Sequence, residues 1–408
     1  MPPLLPTTIM HSGARRRGPG GRPRPLSTWA ALVFAASVAG FLVAPRAARP
    51  APLDSSLEEI ECSLYLLGDA GVPARGGEPV LKALRNEVLR ATVESMVVFL
   101  GDNVYSGGLP PAGMRGRAEA ERRIDAQIDA VSGTAARGIF IPGNHDWEGG
   151  IAGVLREANR VAERGGPSIS FLPRVGSPGP AVVDIGRGLR LVILDSEVII
   201  RKENKQGGGQ ETAADESLNV FTDSLRAAIV SAGERRVVVL AHHPLASGGH
   251  HGGHFGWRDH IFPLREIRSA LWLPLPVVGS IYPLARNHGA SPQDQSHPAN
   301  RRMRERIEAA LQTRRPLVYA CGHEHNLQVL EGGPAEYLLV SGAGAYHHTT
   351  PVFQIPGTKF ALRKAGFLRL DLMASGRVRL VVLAVGRGGD TAERFEMWLD
   401  GPKAAGGG

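Results

Sequence analysis

Cysteine is nearly absent from this chain of 408 residues, which contains only Cys62 and Cys321. Two thiols cannot form the disulfide framework that stabilises many small secreted domains. Each cysteine precedes one of the motifs described below: Cys62 lies seven residues before Asp69, and Cys321 lies two residues before His323. If both motifs meet at one site, the two thiols are offset by about five residues along their strands, or about 16 Å at a rise of about 3.3 Å per residue. That separation is beyond the reach of a disulfide, so we expect two buried free thiols.

Aromatic residues are scarce as well, at 6% of the chain, and no basic patch is interleaved with aromatic side chains. Such patches mark nucleic-acid-binding surfaces, so the net charge of +8 does not indicate one. Residues 1–60 supply half of this charge, with seven arginines against three acidic residues. A hydrophobic content of 43% and a charged content of 21% are typical of a globular protein with a large core.

Long apolar runs are missing except for Trp29–Ala44, which carries no charge. Five arginines precede this run within residues 15–24, and two follow it within residues 46–49. The asymmetry predicts that the N-terminus stays in the cytoplasm and that the body of the protein is exported. The length lies between a signal-peptide core and a full membrane span. Residues 1–52 are therefore a targeting segment. It is either an uncleaved anchor on the outward side of the cytoplasmic membrane, or a cleaved signal that leaves the protein periplasmic or secreted.

Five short polar motifs occur in order along the rest of the chain, and each follows an apolar run typical of a buried strand. The motifs are Gly68–Gly71, Gly101–Tyr105, Gly143–Asp146, Ala241–Pro244 and Gly322–His325. They deliver carboxylate, phenol, amide and imidazole groups to the ends of five successive strands, where layered α/β proteins build their sites. A lone aspartate after glycine is commonly a turn residue or a helix cap. Five such motifs together indicate a site for two metal ions.

The motif set resembles the calcineurin-like metallophosphoesterases, and within them the purple acid phosphatases, over roughly Cys62–Val382. The general family opens with Asp-x-His, whose histidine binds metal, and here Gly71 holds that position. Purple acid phosphatases instead have a tyrosine three residues after the second aspartate, and Tyr105 stands there. The segment Gly322–Gln328 is similar to the mammalian-type, tartrate-resistant acid phosphatase branch.

The resemblance implies seven metal ligands and two metal ions. Metal one would take Asp69, Tyr105 and His325, metal two would take Asn144, His242 and His323, and Asp102 would bridge them. Hard oxygen donors with a phenolate favour Fe³⁺ at the first position, whereas an amide and two imidazoles suit Fe²⁺, Zn²⁺ or Mn²⁺ at the second. Two such ions clamp a phosphate and lower the pKa of a shared water, which provides hydroxide for in-line attack.

Two further histidines are expected to act in catalysis. His145 follows a ligand and is placed to stabilise the phosphate or to protonate the leaving oxygen. His251, nine residues after His242, matches a His-Gly pair of the purple acid phosphatase pattern and would donate a proton from behind the ligands. If their segment is extended, His323 and His325 share one face, because strand side chains alternate.

The expected activity is metal-dependent hydrolysis of phosphate monoesters outside the cytoplasmic membrane. The substrate would be a phosphorylated small molecule, and the mildly positive body suits such anions; no nucleic acid beyond nucleotide substrates is expected. A phosphodiesterase or nucleotide hydrolase would use the same site, so this alternative stays open. An alternative of another class is a non-hydrolytic, anchored metal-binding or redox module. The sequence makes no prediction of the oligomeric state.

Helical and strand patterns alternate in the first half of the chain, and strands dominate the second half. The helical patterns cover residues 80–93, 114–131, 151–162 and 216–232. This order predicts an α/β chain, α+β in its second half, that forms a two-sheet β-sandwich flanked by helices in four layers. The catalytic domain would span residues 60–387, and residues 388–408 would be a C-terminal tail.

Residues 246–300 are interpreted as an insertion, because about 80 residues separate His242 from His323, more than in the compact mammalian-type enzymes. The insertion contains an apolar run, Leu271–Leu284, which is interrupted by three prolines and is too short to span a membrane. One interpretation is a hydrophobic lid packed on the domain. The other is a loop that faces a membrane or covers the substrate.

Overall fold

The computed structural model describes residues 59–205, 213–265 and 271–399. The predicted targeting segment, residues 1–52, lies outside these ranges. Among the described residues, no helix combines the length and the apolar character needed to cross a membrane.

The described residues form two mixed β-sheets of seven strands each. In chain order the strands are β1 Ile60–Leu67, β2 Glu94–Phe99, β3 Arg137–Phe140, β4 Ile169–Phe171, β5 Ala181–Ile185, β6 Leu189–Ile193, β7 Arg236–Leu240, β8 Val318–Cys321, β9 Leu327–Glu331, β10 Tyr337–Ser341, β11 Thr358–Leu362, β12 Gly366–Met373, β13 Val378–Val385 and β14 Thr391–Trp398.

The first sheet has the order β14-β13-β12-β1-β2-β3-β4, and the second has the order β11-β9-β10-β8-β7-β6-β5. In the first sheet β1 to β4 run parallel, and β12 to β14 extend it with antiparallel strands. In the second, β6, β7, β8 and β10 run parallel, with β5, β9 and β11 antiparallel to their neighbours. Parallel strands bring their carboxyl ends to one edge of a sheet, which is where ligands bind in α/β proteins.

Helices cover the outer faces of both sheets. They are α1 Pro79–Arg90, α2 Arg117–Val131, α3 Gly150–Gly165, α4 Ser196–Lys205, α5 Ala213–Val230, α6 Trp257–Ile261, α7 Ile281–Asn287 and α8 Pro298–Leu311. Short 3₁₀ turns occur at Asp146–Gly149, Gly166–Ser168, Pro263–Arg265 and Val278–Ser280. The four predicted helices correspond to α1, α2, α3 and α5, with ends shifted by a few residues. The other four helices, α4, α6, α7 and α8, were not predicted from the sequence. In α8, His297 caps the first turn by accepting the amide hydrogen of Ala299.

Three apolar clusters separate four layers. Between the sheets, Leu64 of β1 and Leu191 of β6 belong to one buried cluster. Leu84 of α1 lies in a second cluster on the outer face of the first sheet, and Leu225 of α5 lies in a third on the outer face of the second sheet. Central strands are thus buried on both faces, which explains their continuous apolar sequences. The expected two-sheet sandwich flanked by helices is confirmed.

The catalytic domain extends further toward the C-terminus than residue 387. β14, Thr391–Trp398, pairs antiparallel with β13 at the edge of the first sheet. Residues 388–399 are therefore not a tail, and the predicted boundary was placed too early. An edge strand is only partly buried, so its apolar pattern is weak and its sequence resembles a polar loop.

The predicted insertion links β7 to β8 and contains α6 and α7. The interpretation of Leu271–Leu284 as a lid packed on the domain is wrong. Most large apolar side chains of this run are exposed, including Trp272, Val277 and Ile281.

Candidate metal centre

The predicted metal ligands lie at the carboxyl ends of strands from both sheets. β1, β2 and β3 of the first sheet and β7 and β8 of the second each lead directly into one of the five motifs. These are not five successive strands of the chain, as the sequence suggested, because β4, β5 and β6 intervene before β7. The centre lies where the carboxyl edges of the two sheets meet, so each sheet supplies part of the ligand set.

Left-handed backbone conformations turn the chain sharply at three strand ends. Asp69, Asp102 and His323 have φ angles of 59°, 55° and 68°, which cost a non-glycine residue roughly 1–3 kcal/mol each. Local contacts hold the turns in place: the amide of His323 donates to Oδ2 of Asp69 at 2.8 Å. Close packing also requires glycine at position 143, since a Cβ there would lie 2.3 Å from Asp102.

The three ligands predicted for the first metal position converge. Oδ1 of Asp69 lies 2.9 Å from the hydroxyl of Tyr105 and 3.4 Å from Nε2 of His325. The same hydroxyl lies 3.0 Å from Nε2 of His325. We call this group of three donor atoms the tyrosine triad.

The three ligands predicted for the second position converge in the same way. Oδ1 of Asn144 lies 3.0 Å from Nε2 of His242 and 3.0 Å from Nδ1 of His323, and the two ring nitrogens are 3.2 Å apart. The other ring nitrogen of His242, Nδ1, contacts the carbonyl of Leu100 at 2.8 Å, which fixes the ring so that Nε2 faces the centre. We call this group the asparagine triad.

Asp102 stands between the two triads. Its Oδ1 lies 3.4 Å from Nε2 of His242 and accepts the amide hydrogen of His145 at 2.9 Å. Asp69, Asp102 and His242 each offer a ligand atom within 4.8 Å of the others. The carboxylate of Asp102 is thus within reach of both triads.

The donor atoms have the spacing that metal ligands require. Ligands at about 2.0–2.2 Å from one ion are roughly 2.8–3.6 Å from each other in octahedral or tetrahedral geometry. All six distances within the two triads fall in this range. The residues present therefore fit two metal ions, one in each triad, with Asp102 between them.

Burial and nearby carboxylates shape the protonation of the centre. Burial raises the pKa of Tyr105, and the carboxylates of Asp102 and Asp69 raise it further. Without a nearby cation, the phenol therefore keeps its proton at neutral pH. Burial lowers the pKa of His242, but the carboxylates of Asp102 and Asp69 together with the carbonyl of Leu100 outweigh burial and raise the pKa to about 10. Two closely spaced carboxylates in a buried site thus attract positive charge.

His323 and His325 do not share one face of an extended strand, as the alternation argument proposed. β8 ends at Cys321, and His323 adopts a left-handed conformation. The resulting turn directs His323 to the asparagine triad and His325 to the tyrosine triad. Two histidines separated by one residue therefore reach two different triads.

His145 lies at the rim of the centre, beside the tyrosine triad. Its ring centroid is 4.6 Å from that of Tyr105, and Nδ1 contacts Oε1 of Glu148 at 2.7 Å. Burial lowers the pKa of His145, but the carboxylates of Asp102 and Glu148 outweigh burial and the net pKa is raised. A protonated imidazole with one ring nitrogen engaged can donate a proton from the other.

His251 lies beside the asparagine triad, although it comes from the insertion. Its ring centroid is 3.9 Å from that of His323. Nδ1 contacts Oδ1 of Asp294 at 2.9 Å, and Nε of Arg286 donates to Oδ2 of Asp294 at 2.7 Å. The arginine and carboxylate thus fix the ring and leave Nε2 available.

His243, the residue after His242, supports the predicted ligands from behind. Its Nδ1 lies 2.8 Å from Oγ of Ser196 and its Nε2 lies 2.7 Å from Oε1 of Gln293. Both ring nitrogens are therefore engaged by protein groups. Burial and the neighbouring His242 lower the pKa of His243 to about 3, so it is neutral at physiological pH.

Several residues that build the centre were not predicted from the sequence. Asp146 accepts the amide hydrogens of Gly143 and Asn103, at 2.7 Å and 2.9 Å, and so ties two ligand loops together. Glu324 accepts the hydroxyl of Ser247 at 3.1 Å and fixes the glycine-rich loop that leads to His251. Asp146 and Glu324 each lie inside one of the five motifs, so their closeness to the predicted ligands could have been recognised from the sequence. Asp294 and Gln293 could not have been recognised, because only the folded insertion brings them to the histidines.

A cavity adjoins the tyrosine triad. It has a volume of about 360 Å³, and its lining includes Val72, Ala74, Tyr105, His347 and His348. The ring of His348 packs against His325, with centroids 3.9 Å apart. The cavity is therefore continuous with the metal centre and has largely apolar walls.

Comparison with known proteins identifies one family. The family model of calcineurin-like phosphoesterases matches residues 63–327. Curated proteins include no significant match to this sequence.

Solved structures share the fold. Purple acid phosphatase PPD1 from seeds of yellow lupin, Lupinus luteus, is 15% identical with a TM-score of 0.51, over 83% of this chain and 54% of that chain. This chain thus spans about half the length of the lupin enzyme. GAP50, the anchor in the inner membrane complex of Plasmodium, is 13% identical with a TM-score of 0.48 over 83% of this chain and 88% of that chain. A dimetal phosphatase from Danio rerio is 13% identical with a TM-score of 0.40 over 84% and 99%.

Proposed function

This chain belongs to the calcineurin-like phosphoesterase family, and from this premise we propose that it hydrolyses phosphate monoesters at a dinuclear metal centre. Metal-dependent phosphoester hydrolysis is the chemistry of the family. The proposal adds the monoester substrate, the ligand set and the site of action.

One observation carries the proposal: two triads of donor atoms meet across one carboxylate. Asp102 lies between the tyrosine triad and the asparagine triad, and every distance within each triad suits a single ion. Metal ions held there would act as Lewis acids on water and phosphate. Tyr105 and Asp69 favour Fe³⁺ at the first position, and Asn144 with two imidazoles favours Fe²⁺, Zn²⁺ or Mn²⁺ at the second.

His145 and His251 are the proposed substrate-directed groups of the chain itself. His145 has its Nδ1 held by Glu148, so its Nε2 is the nitrogen that would protonate the leaving alcohol. His251 has its Nδ1 held by Asp294 and Arg286, so its Nε2, when it carries a proton, would donate to a phosphate oxygen. The two histidines approach from opposite triads, which supports separate roles at the two ends of the bond that breaks.

The cavity beside Tyr105 would receive the alcohol part of the substrate. A monoester has one organic group, and a volume of about 360 Å³ with apolar walls suits a ring or a short chain. A phosphodiester or a nucleotide would need room for a second group, which is the remaining hydrolytic alternative. The non-hydrolytic redox module is disfavoured by membership of a phosphoesterase family.

The proposed site of action is outside the cytoplasmic membrane. The support is the sequence of residues 1–52, in which arginines precede the apolar run Trp29–Ala44. Protease treatment of intact spheroplasts would digest the catalytic domain if it is exported. N-terminal sequencing of the isolated protein would separate an anchor from a cleaved signal.

The direct test uses purified protein with metal analysis. We expect roughly two metal ions per chain and faster hydrolysis of p-nitrophenyl phosphate than of bis(p-nitrophenyl) phosphate. Faster cleavage of the diester would replace the monoester proposal with the phosphodiesterase alternative. Full metal content without hydrolysis of either compound would contradict both.

A further inference from the structure

The insertion displays a concentrated apolar surface. Of the fifteen large hydrophobic side chains that are exposed among the described residues, eight lie between Trp257 and Leu284. The other seven are spread over residues 89–230, as on the surface of many soluble proteins. We call Trp257 and the exposed apolar side chains of Leu271–Leu284 the apolar face. A cluster of this kind marks a surface that contacts a partner or a membrane.

The backbone beneath the apolar face is held in place. The amide of Leu275 donates to the carbonyl of Ile261 at 2.7 Å, and the amide of Gly279 donates to the carbonyl of Leu275 at 2.6 Å. The ring of Trp272 packs edge-on against Phe262, with centroids 5.3 Å apart. The exposed side chains are therefore presented by a fixed loop attached to α6.

Val277 is the most exposed member of the apolar face. Its side chain is 85% exposed, and its φ angle of 70° is left-handed. A β-branched residue rarely adopts a positive φ, which glycine tolerates without steric cost. Exposure of this aliphatic side chain to water is unfavourable, so an apolar environment outside the protein would explain its presence.

One arginine lies against the tryptophan at the edge of the apolar face. The guanidinium of Arg258 lies over the ring of Trp257, 5.3 Å from its centroid. Tryptophan and arginine around an aliphatic tip form the composition that binds the interface of an anionic bilayer.

The chain also carries a predicted membrane segment within reach of the described domain. Trp29–Ala44 is the predicted apolar segment, and residues 45–58 separate it from the first described residue. These fourteen residues extend to at most about 50 Å. A domain anchored by this segment would therefore stay close to the lipid surface, and its apolar face would meet the headgroups often.

We propose that the apolar face docks on the surface of an anionic lipid bilayer, with Val277 and its neighbours inserted at the level of the headgroups. The bilayer is favoured over a second copy of the chain because the tip is aliphatic, its flank carries tryptophan and arginine, and the chain has its own predicted membrane segment. α7 connects this surface to the metal centre, since Leu284 lies in the same helix as Arg286, which holds Asp294. The docking proposal does not depend on hydrolysis.

Site-specific labelling of the full chain tests the proposal. Val277→Cys and Val220→Cys would each be labelled with the environment-sensitive fluorophore NBD, because Cys62 and Cys321 are buried and do not compete. Val220 is a matched control: it is an exposed valine of α5, at 61% exposure. Both proteins would be reconstituted into vesicles of phosphatidylcholine with phosphatidylglycerol, with brominated lipid or aqueous iodide as the quencher.

We expect brominated lipid to quench the label at 277 several-fold more strongly than the label at 220, and iodide to show the opposite order. The difference should shrink when phosphatidylglycerol is replaced by phosphatidylcholine. A label at 277 that iodide quenches freely in vesicles would overturn the proposal. So would a label protected from both quenchers, because that result indicates cover by protein. Equal thermal unfolding of both variants would show that the labels do not disturb the fold.

Discussion

Tyr105 and Asp69 are 36 positions apart in the sequence, and the phenol hydroxyl of Tyr105 donates to Oδ1 of Asp69 at 2.9 Å. They come from the carboxyl ends of β2 and β1, which are parallel neighbours in the first sheet. Burial and two carboxylates raise the pKa of this phenol, so its anion forms only with strong positive charge beside it. The pair therefore suits a trivalent ion better than a divalent one.

Removal of the Tyr105 oxygen should change colour and metal affinity together. In iron-reconstituted protein, a phenolate bound to Fe³⁺ would give a purple to pink charge-transfer band. Tyr105→Phe should abolish the band and weaken iron binding, while some hydrolysis survives through the remaining ligands. Visible spectra and iron titrations measure both effects. A colourless, iron-loaded wild-type protein with full activity would show that Tyr105 is not a ligand.

Asp102 should be the residue on which both metals depend. Asp102→Asn keeps an oxygen that can accept the amide hydrogen of His145 but removes the negative charge between the triads. We expect loss of both metals and of nearly all activity. Chelation should also lower the Tm of wild-type protein, because ions that bind only the folded state stabilise it, and this effect should shrink in the variant. A variant with full metal content and normal turnover would refute the bridging role.

Asp294 should act through His251. Asp294→Asn weakens the hydrogen bond to Nδ1 of His251 and changes no residue of either triad, so the metal content should stay unchanged. Loss of such an orienting partner typically costs roughly 10–100-fold in activity, and we expect a fall in that range. Asp259→Asn is the matched control, since Asp259 lies in the same insertion but faces His250 at 3.4 Å. Equal losses in both variants would indicate a general disturbance of the insertion.

Asp195 should make the stability of the fold fall as pH rises. Burial raises its pKa to about 7, although Trp147 Nε1 donates to its carboxylate at 2.9 Å. In the unfolded chain the pKa is about 3.9. Between about pH 4 and pH 7 the unfolded chain releases this proton and the folded chain keeps it, so the free energy of unfolding decreases. At about 1.4 kcal/mol per unit, the full difference is up to about 4 kcal/mol.

Asp195→Asn should therefore flatten the pH dependence. Urea unfolding of wild type and variant at a series of pH values, with the same metal content, measures the difference in slope. The absolute stability of the variant is not the readout, because the amide also changes the bond to Trp147. Parallel curves for the two proteins would show that Asp195 ionises normally in the folded state.

The convergence of the side chains of the two triads could be predicted from the sequence because the predicted ligands lie in short local motifs. Gly71 and Tyr105 each sit within a few residues of an aspartate, so the exchange of a histidine for a tyrosine is visible without a structure. The two-sheet fold was predictable for the same reason, since strands such as β1 are continuous apolar runs.

The remaining features depend on tertiary position, which local pattern does not encode. Asp294 reaches His251 across 43 positions, and nothing in its own neighbourhood distinguishes it from a loop aspartate. The opposite directions of His323 and His325 arise from a left-handed residue where alternation was expected. The exposure of Leu271–Leu284 also contradicts its composition, since apolar residues are ordinarily buried.

His145 provides the sharpest test of the chemical step. Its Nδ1 is held by Glu148 at 2.7 Å and its amide donates to Asp102, so His145→Ala should keep the metals and slow the turnover of substrates with poor leaving groups by roughly 10²–10⁴-fold. If His145 protonates the leaving oxygen, the loss should be large for alkyl phosphates, whose alcohols leave poorly. It should be small for p-nitrophenyl phosphate, whose phenol needs little protonation. His145→Gln can still form hydrogen bonds but cannot carry the proton, so it should retain the turnover of p-nitrophenyl phosphate and lose that of alkyl substrates. Equal losses for both substrate types in both variants would assign His145 to electrostatic stabilisation of the phosphate instead of proton donation.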